Sequence, residues 1–498
     1  MKNSENWTLY MISILVLYAL VILFFVIRGA LTTKNMKDYA LGNINFPAWF
    51  IGLSLAASMT SAATFIINPG FIALYGFSGI ISFAIVMPIA SFVSLVVFTK
   101  GFAKYGSAVQ ATTMAQWMGN RFNSKSYSLF FAFVALLHIT FIVLINVGLT
   151  QIISKAIGVE PYYVLMGIVV FVFGYMMFGG ANSMVYTNTI QAVLKFIVAV
   201  VLIGSGYDYF SDGMSGFITK LNTIDPALTK PTNESSYLFR DYYEIILSQI
   251  IIGVAIVCQP HIITKSLLLK DQRKINIFLI SAIAFLIVYF SVVLVGFYAR
   301  ISIPDLTYKG NPLKMDEIIP TYVVTHFSVG MSMLVVVGLI SAGLAALESL
   351  IQTISSTITS DLIAPLTGKE SLKNSVILNR MVIIAMAVIS FYLSWNQISN
   401  PKLSVAIFAQ NGVYGYFAAA FVPVLFGTFI KNVRVKTVFI ASVVALLTHF
   451  SVTFFELTPY MQGPVKNPGI SASIAIVTSV LVAIILHKFD AASKTLQE

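Results

Sequence analysis

The residues of this chain best suited to chemistry are polar groups set inside long apolar runs. From Gly52 to Thr64, the hydroxyl residues Ser54, Ser58, Thr60, Ser61 and Thr64 alternate with small ones, and Asn68-Pro69-Gly70 interrupts the far half of the same run. Such a segment either packs closely on neighbouring helices through its small residues or breaks at mid-membrane depth, freeing carbonyl and N–H groups for an ion and a solute. A second run carries Ser349, Thr353, Ser356 and Ser360 at spacings of four, three and four, so these share one helical face. A polar stripe of that kind faces a bundle interior or a water-filled cavity, unless the hydroxyls serve packing alone. Two charges also lie within apolar runs, Lys195 and Glu348. A lysine at the centre of a span costs about 2.5–3.5 kcal/mol on insertion scales and normally has a partner. Glu348 is the expected partner.

Other chemistries find no residues to carry them. His138, His261, His326, His449 and His487 fall on different runs or at their ends, without metal-ligand spacing. The single cysteine, Cys258, supports neither a disulfide nor a thiolate metal site. The sequence points to no catalytic residue, no cofactor and no structural metal.

The elements that would position these residues are membrane spans. Of the 498 residues 58% are apolar and 10% charged, against about 25% charged in soluble domains. Leu9–Ile27 and Thr437–Phe455 hold no Asp, Glu, Lys or Arg, and about 20 apolar residues suffice to cross a bilayer as a helix. Hydropathy predicts thirteen spans, near 7–28, 47–75, 78–99, 127–155, 161–179, 183–207, 242–262, 275–299, 327–361, 376–395, 403–429, 437–457 and 469–487. The first is read as a retained helix. The expected class is an all-α polytopic membrane protein, one transmembrane unit over 1–498, which excludes a soluble enzyme and a β-barrel.

Orientation follows from the basic residues. With the N-terminus outside, inner segments hold 19 Lys and Arg, among them Lys34, Lys265, Lys270, Lys369, Lys373, Lys431 and Lys494. Outer ones hold 10, among them Lys2, Lys220 and Lys402, with the longest loop, 208–241, outside. The positive-inside rule then puts the C-terminus in the cytoplasm of a plasma-membrane protein. The net charge of +11 implies attraction to anionic lipid, with no nucleic-acid partner.

Five motifs in order resemble the sodium:solute symporter family, in particular its proline and pantothenate branch. They are Asp38-Tyr39-Ala40-Leu41-Gly42, Gly179-Gly180 with Thr187, Asn188 and Gln191, Gln259-Pro260-His261, Ile303-Pro304-Asp305-Leu306, and Leu347-Glu348-Ser349 running to Thr359-Ser360-Asp361-Leu362. The resemblance implies a leucine-transporter-like fold of two inverted five-helix repeats. It assigns 7–28 to an extra N-terminal helix, 47–207 and 242–429 to the repeats, and 437–487 to two C-terminal helices.

The resemblance also implies where ligands would sit. Substrate would meet Met59, Ser61 and Thr64 at a broken helix, with Gln410 and Asn411 as further candidates. The family's sodium carbonyls fall at Ala57 and Thr60, and its remaining ligands at Ala342, Ala345 and Ala346. Here the chain departs from the family pattern. Ala345-Ala346 replace a hydroxyl pair, and a hard cation needs oxygen ligands. Asn188 stands where the family motif has an aspartate, and Lys195, Glu348 and Ser349 lie nearby in the aligned pattern. Three readings stay open. The Lys195 ammonium fills the sodium position and transport is proton-coupled or ion-independent; or Glu348 takes over as a relocated cation ligand and sodium coupling survives; or the charges only hold helices together.

The expected function is secondary active symport, by alternating access, of a small organic solute such as an amino acid or monocarboxylate. A nutrient sensor built on a transporter fold is the alternative from another class. A channel is disfavoured, because no selectivity-filter repeat or charged ring occurs.

Overall fold

The computed structural model describes residues 5–109, 111–269, 271–368, 375–400, 405–463 and 465–495. Lys2, Lys270, Lys369, Lys373 and Lys402 of the charge count, and 403 and 404 of the eleventh expected span, lie outside these residues. Among the described residues the one sheet is a two-stranded hairpin in which Thr307 pairs with Pro312 and Tyr308 with Asn311. All else is helix and connection.

In chain order the long helices are α1 (Trp7–Ala30), α2 (Ala48–Met59), α3 (Ala63–Tyr75), α4 (Phe77–Phe102), α5 (Lys125–Ile157) and α6 (Pro161–Gly204). After the shorter helix α7 (Gly213–Ile224) come α8 (Tyr243–Cys258), α9 (Pro260–Leu268), α10 (Ile275–Ser302) and α11 (Val329–Thr367). The chain ends with α12 (Val376–Ser399), α13 (Val405–Phe429), α14 (Val435–Phe454) and α15 (Pro468–Asp490). Ten of the described helices are long and apolar enough to cross a membrane, and two bent pairs raise that to as many as twelve. The expected thirteen counts the two sides of α6 as separate crossings, whereas by length and composition α6 is one element with a kink.

That kink has a local cause. At 1.5 Å per residue, 44 residues would run about 66 Å, roughly twice a hydrocarbon core. Gly180 interrupts the run with φ 65 and ψ −165, a region that side chains strongly disfavour. A Cβ there would stand 2.8 Å from Tyr39 Cδ2 and 3.0 Å from its carbonyl oxygen. The kink is therefore the seat of the short helix Met36–Leu41, and Tyr39 Oη donates to Met176 O across it at 3.0 Å. Asn182 Oδ1 accepts from Asn43 N and Ile44 N (3.0 and 3.2 Å), while Gln352 Nε2 of α11 donates to Ala40 O at 2.8 Å. Three of the sequence motifs thus meet at one joint.

The two bent pairs bring polar backbone into the interior. α2 and α3 meet at 60°, and α8 and α9 at 61°. α11, buried over almost all of its apolar length, packs against α6, α5 and α2 and forms the floor beneath the first break.

Candidate functional site

The first break is made by hydroxyl residues that cap both of its ends. α2 stops where Thr60 turns extended (φ −116, ψ 129), and its hydroxyl donates back to Ala56 O at 2.9 Å. The chain restarts on Ser61, whose Oγ accepts from Ala63 N at 3.2 Å and whose carbonyl accepts from Thr64 N at 3.0 Å. A π turn over Ala63–Ile67 then leads into the α-helical segment Asn68–Tyr75. This wider turn absorbs the N–H that Pro69 lacks, so Asn68-Pro69-Gly70 does not interrupt the chain. The second break is at Gln259 (φ −64, ψ 136), an extended residue as the position before proline favours. Pro260 opens α9, where a missing N–H costs nothing.

A cavity of about 120 Å3 lies between the two breaks. Met59, Ser61, Thr64 and Asn68 line it from the first, Gln259 and His261 from the second, and Gln410 and Tyr414 from α13. Phe83, Phe141 and Phe290 supply much of its apolar wall. Of the residues expected to meet substrate, Met59, Ser61, Thr64 and Gln410 line this space. Asn411 does not. One residue further along α13 turns the side chain by about 100°, its carbonyl receives His449 Nε2 at 2.9 Å, and its Oδ1 is buried without a partner. Two larger grooves, of about 460 and 430 Å3, are lined almost wholly by aliphatic and aromatic side chains and include none of the polar residues of the breaks.

Lys195 of α6 is fully buried directly beside the first break. Its ammonium donates to Ala57 O at 2.6 Å, Thr60 O at 2.8 Å and Thr60 Oγ1 at 3.3 Å, and lies 6.0 Å from the centre of the Tyr289 ring. These carbonyls close the C-terminal end of α2, where the helix dipole is negative and favours a cation. Ala345 packs there with Ala57, Ala192 and Leu53, presenting a methyl group and no oxygen. Ala342 and Ala346 are fully buried among apolar neighbours.

Glu348 does not pair with Lys195, which corrects the expected ion pair: among the described residues no carboxylate oxygen lies within 4.0 Å of the ammonium. Glu348 instead receives Tyr175 Oη at 2.6 Å, Gln191 Nε2 at 2.9 Å, and the Thr187 hydroxyl. The reason is geometric. The bend aims two free carbonyls at Lys195, while donors of α6 surround the carboxylate.

Asn188 links Glu348 to a second buried lysine, Lys265. With its oxygen toward the Ser58 and Ser349 hydroxyls (3.1 Å each) and Lys265 Nζ (3.3 Å), its nitrogen donates to Gln191 Oε1 at 3.0 Å and Glu348 Oε2 at 3.2 Å. This orientation satisfies both ends of the amide. Ser58 and Ser349 hydroxyls are themselves 2.7 Å apart. Lys265, counted above among inner-segment charges, is only 3% exposed, because α9 carries it back into the bundle, where Nζ donates to Ser54 Oγ at 2.9 Å. Its position past the end of the seventh expected span, 242–262, concealed this. Gln259 and His261 were visible as a motif but not as cavity residues; the proline between them was the available sign of a break.

Two broken helices whose ends converge on one interior cavity are the mark of a leucine-transporter-like fold. Residues 39–444 match the sodium:solute symporter family, and the chain belongs to that family. It is an integral plasma-membrane protein of a family of transporters, not of enzymes. The sodium/pantothenate symporter of Escherichia coli strain K12 is 28% identical over 57% of this chain and 58% of its own length. This chain therefore spans little more than half of that relative. The sodium/proline symporter of Staphylococcus aureus strain Newman is 24% identical over 86% of this chain and 82% of its own. Among solved structures, a Na+-coupled sialic acid symporter in a substrate-bound, outward-open state superposes with a TM-score of 0.76 at 17% identity, over 95% of this chain and 98% of that one.

Proposed function

We propose that this protein is a secondary active transporter of a small organic solute, working by alternating access, in which the Lys195 ammonium stands in for the coupling sodium. The observation that carries this reading is the pair of bonds from Lys195 Nζ to Ala57 O and Thr60 O. Those are the two carbonyls that family resemblance assigns to sodium, and the position facing them is Ala345. An ammonium there supplies one positive charge and three donors to oxygens that would otherwise be left buried and unpaired. Transport is then coupled to protons or to no ion. Cation coupling through Glu348 is the weaker reading, because the carboxylate oxygens are already engaged by Tyr175, Thr187, Gln191 and Asn188.

In this reading 47–207 and 242–429 act as the two repeats, with 7–28 before them and 437–487 after. The near-equal bends of 60° and 61° close to the start of each support the division. The test is uptake into proteoliposomes with sodium replaced by choline. Initial rates should be unchanged. A steep, saturable sodium requirement would reject the stand-in and favour Glu348 as a relocated ligand.

A further inference from the structure

The first break has two ends, and only one of them is open to a ligand. Its carbonyl end is closed by Lys195 on Ala57 O and Thr60 O. Its other end, the first turn of α3, faces the cavity through Ser61 and Thr64. A helix start favours negative charge. A second, independent feature faces the same space from α9. Gln259 and His261 are each 2% exposed and line the cavity, yet Gln259 Oε1 and His261 Nδ1 are buried without a partner. Buried polar atoms in native proteins usually have a partner, and because both residues line the cavity a ligand there can supply one.

Charge decides between the possible occupants. No acidic side chain lines the cavity among the described residues. Lys195 is bonded to Thr60, which sits between the lining residues Met59 and Ser61, and Lys265 lies one helical turn beyond His261 on the same element, against the single carboxylate of Glu348. A substrate ammonium would enter a region with two resident ammonium groups, and the break carbonyls that could solvate it are taken. A carboxylate meets hydroxyls, a helix start and a positive surplus.

We propose, resting on the transport reading above, that the cavity takes a small hydroxylated monocarboxylate. Its carboxylate sits at Ser61 and Thr64, and its hydroxyl sits between Gln259 and His261. The hydroxyl donates to Gln259 Oε1 and accepts from His261 Nδ1–H, which satisfies both open atoms with one group. The aromatic wall covers a short carbon body, and about 120 Å3 keeps that body small.

Four near-isosteric compounds separate the terms when binding to the purified full-length protein is measured by calorimetry without a sodium gradient. L-lactate has both groups, propionate lacks the hydroxyl, L-alanine carries an ammonium in its place, and lactamide lacks the carboxylate. L-lactate should bind about tenfold more tightly than propionate, the usual worth of a buried hydrogen bond, and L-alanine and lactamide should bind at least that much more weakly. In Gln259→Leu the preference for L-lactate over propionate should vanish while propionate binding persists, which also shows that the variant is folded. Alanine binding as tightly as lactate, no preference for lactate over propionate, or binding of none of the four would each overturn the assignment. Lactate bound in the expected order but never taken up by proteoliposomes would instead remove the transport reading and leave the site. Uptake of another solute without lactate binding would do the reverse.

Discussion

Lys195, Lys265 and Glu348 are all buried, and each is accommodated by different chemistry. Lys195 uses backbone carbonyls, Lys265 a serine and the Asn188 amide, and Glu348 a tyrosine, a threonine and a glutamine. Lys195→Ala leaves two buried carbonyls bare and should cost about 2–6 kcal/mol, at about 1–3 kcal/mol per unsatisfied group, read as a lower denaturation midpoint in detergent. Sodium should not restore it, since Ala345 and Ala346 add no oxygen. Adding Ala345→Ser and Ala346→Ser to that variant should create sodium-dependent thermal stabilisation; a midpoint indifferent to sodium would count against the stand-in. The double variant Lys195→Ala/Glu348→Ala should be no more stable than Lys195→Ala alone, because the two side chains share no direct bond. Recovery in the double variant would restore the ion pair that the sequence suggested. Both charges were recognisable from hydropathy because a charge in an apolar run is conspicuous. Their partners were not, because the carbonyls of Ala57 and Thr60 become available only once the chain bends at Thr60.

Breaks and kinks set where these groups meet. At Gly180 a methyl group would force both a disfavoured φ and contact with Tyr39, so Gly180→Ala should cost about 1–3 kcal/mol, the usual range for a residue held in a sparsely populated conformation. Wild-type expression and melting temperature in that variant would refute the joint's role. Within the first break, Ser61→Ala with Thr64→Ala should lower uptake well beyond any fall in protein abundance, since Ser61 Oγ accepts from Ala63 N and both residues line the cavity. Unchanged uptake would move the solute elsewhere. The first break could be anticipated from its concentration of hydroxyl and small residues. The second lacked that signature, because Ile256, Val257 and Cys258 read as ordinary span, and Gln259-Pro260 alone marked it. The same blindness put Lys265 in a loop, since a short helix after a bend returns residues to the interior that linear hydropathy assigns to solvent.

For the molecule as a whole, the proposed orientation rests on charge asymmetry, and it survives moving Lys265 from the inner segments into the bundle. With 19 basic residues inside against 10 outside, the loss of one leaves the bias intact, and the positive-inside rule counts the remainder. The prediction can be tested cleanly because the chain's single native cysteine, Cys258, is buried. A membrane-impermeant maleimide should therefore leave the parent protein unlabelled in intact cells. Ser215→Cys sits exposed on α7, in the longest loop, and should label from outside without permeabilisation. Lys431→Cys, exposed between α13 and α14, should label only after the membrane is opened. Those two helices follow one another across a short connection, so Lys431 must lie at the end of the bundle opposite to α7 if the charge rule holds. The reverse pattern would invert the molecule, placing α7 in the cytoplasm and making the basic segments external. It would also reverse the side from which alternating access first admits solute, while leaving the Lys195 and Glu348 geometry unchanged.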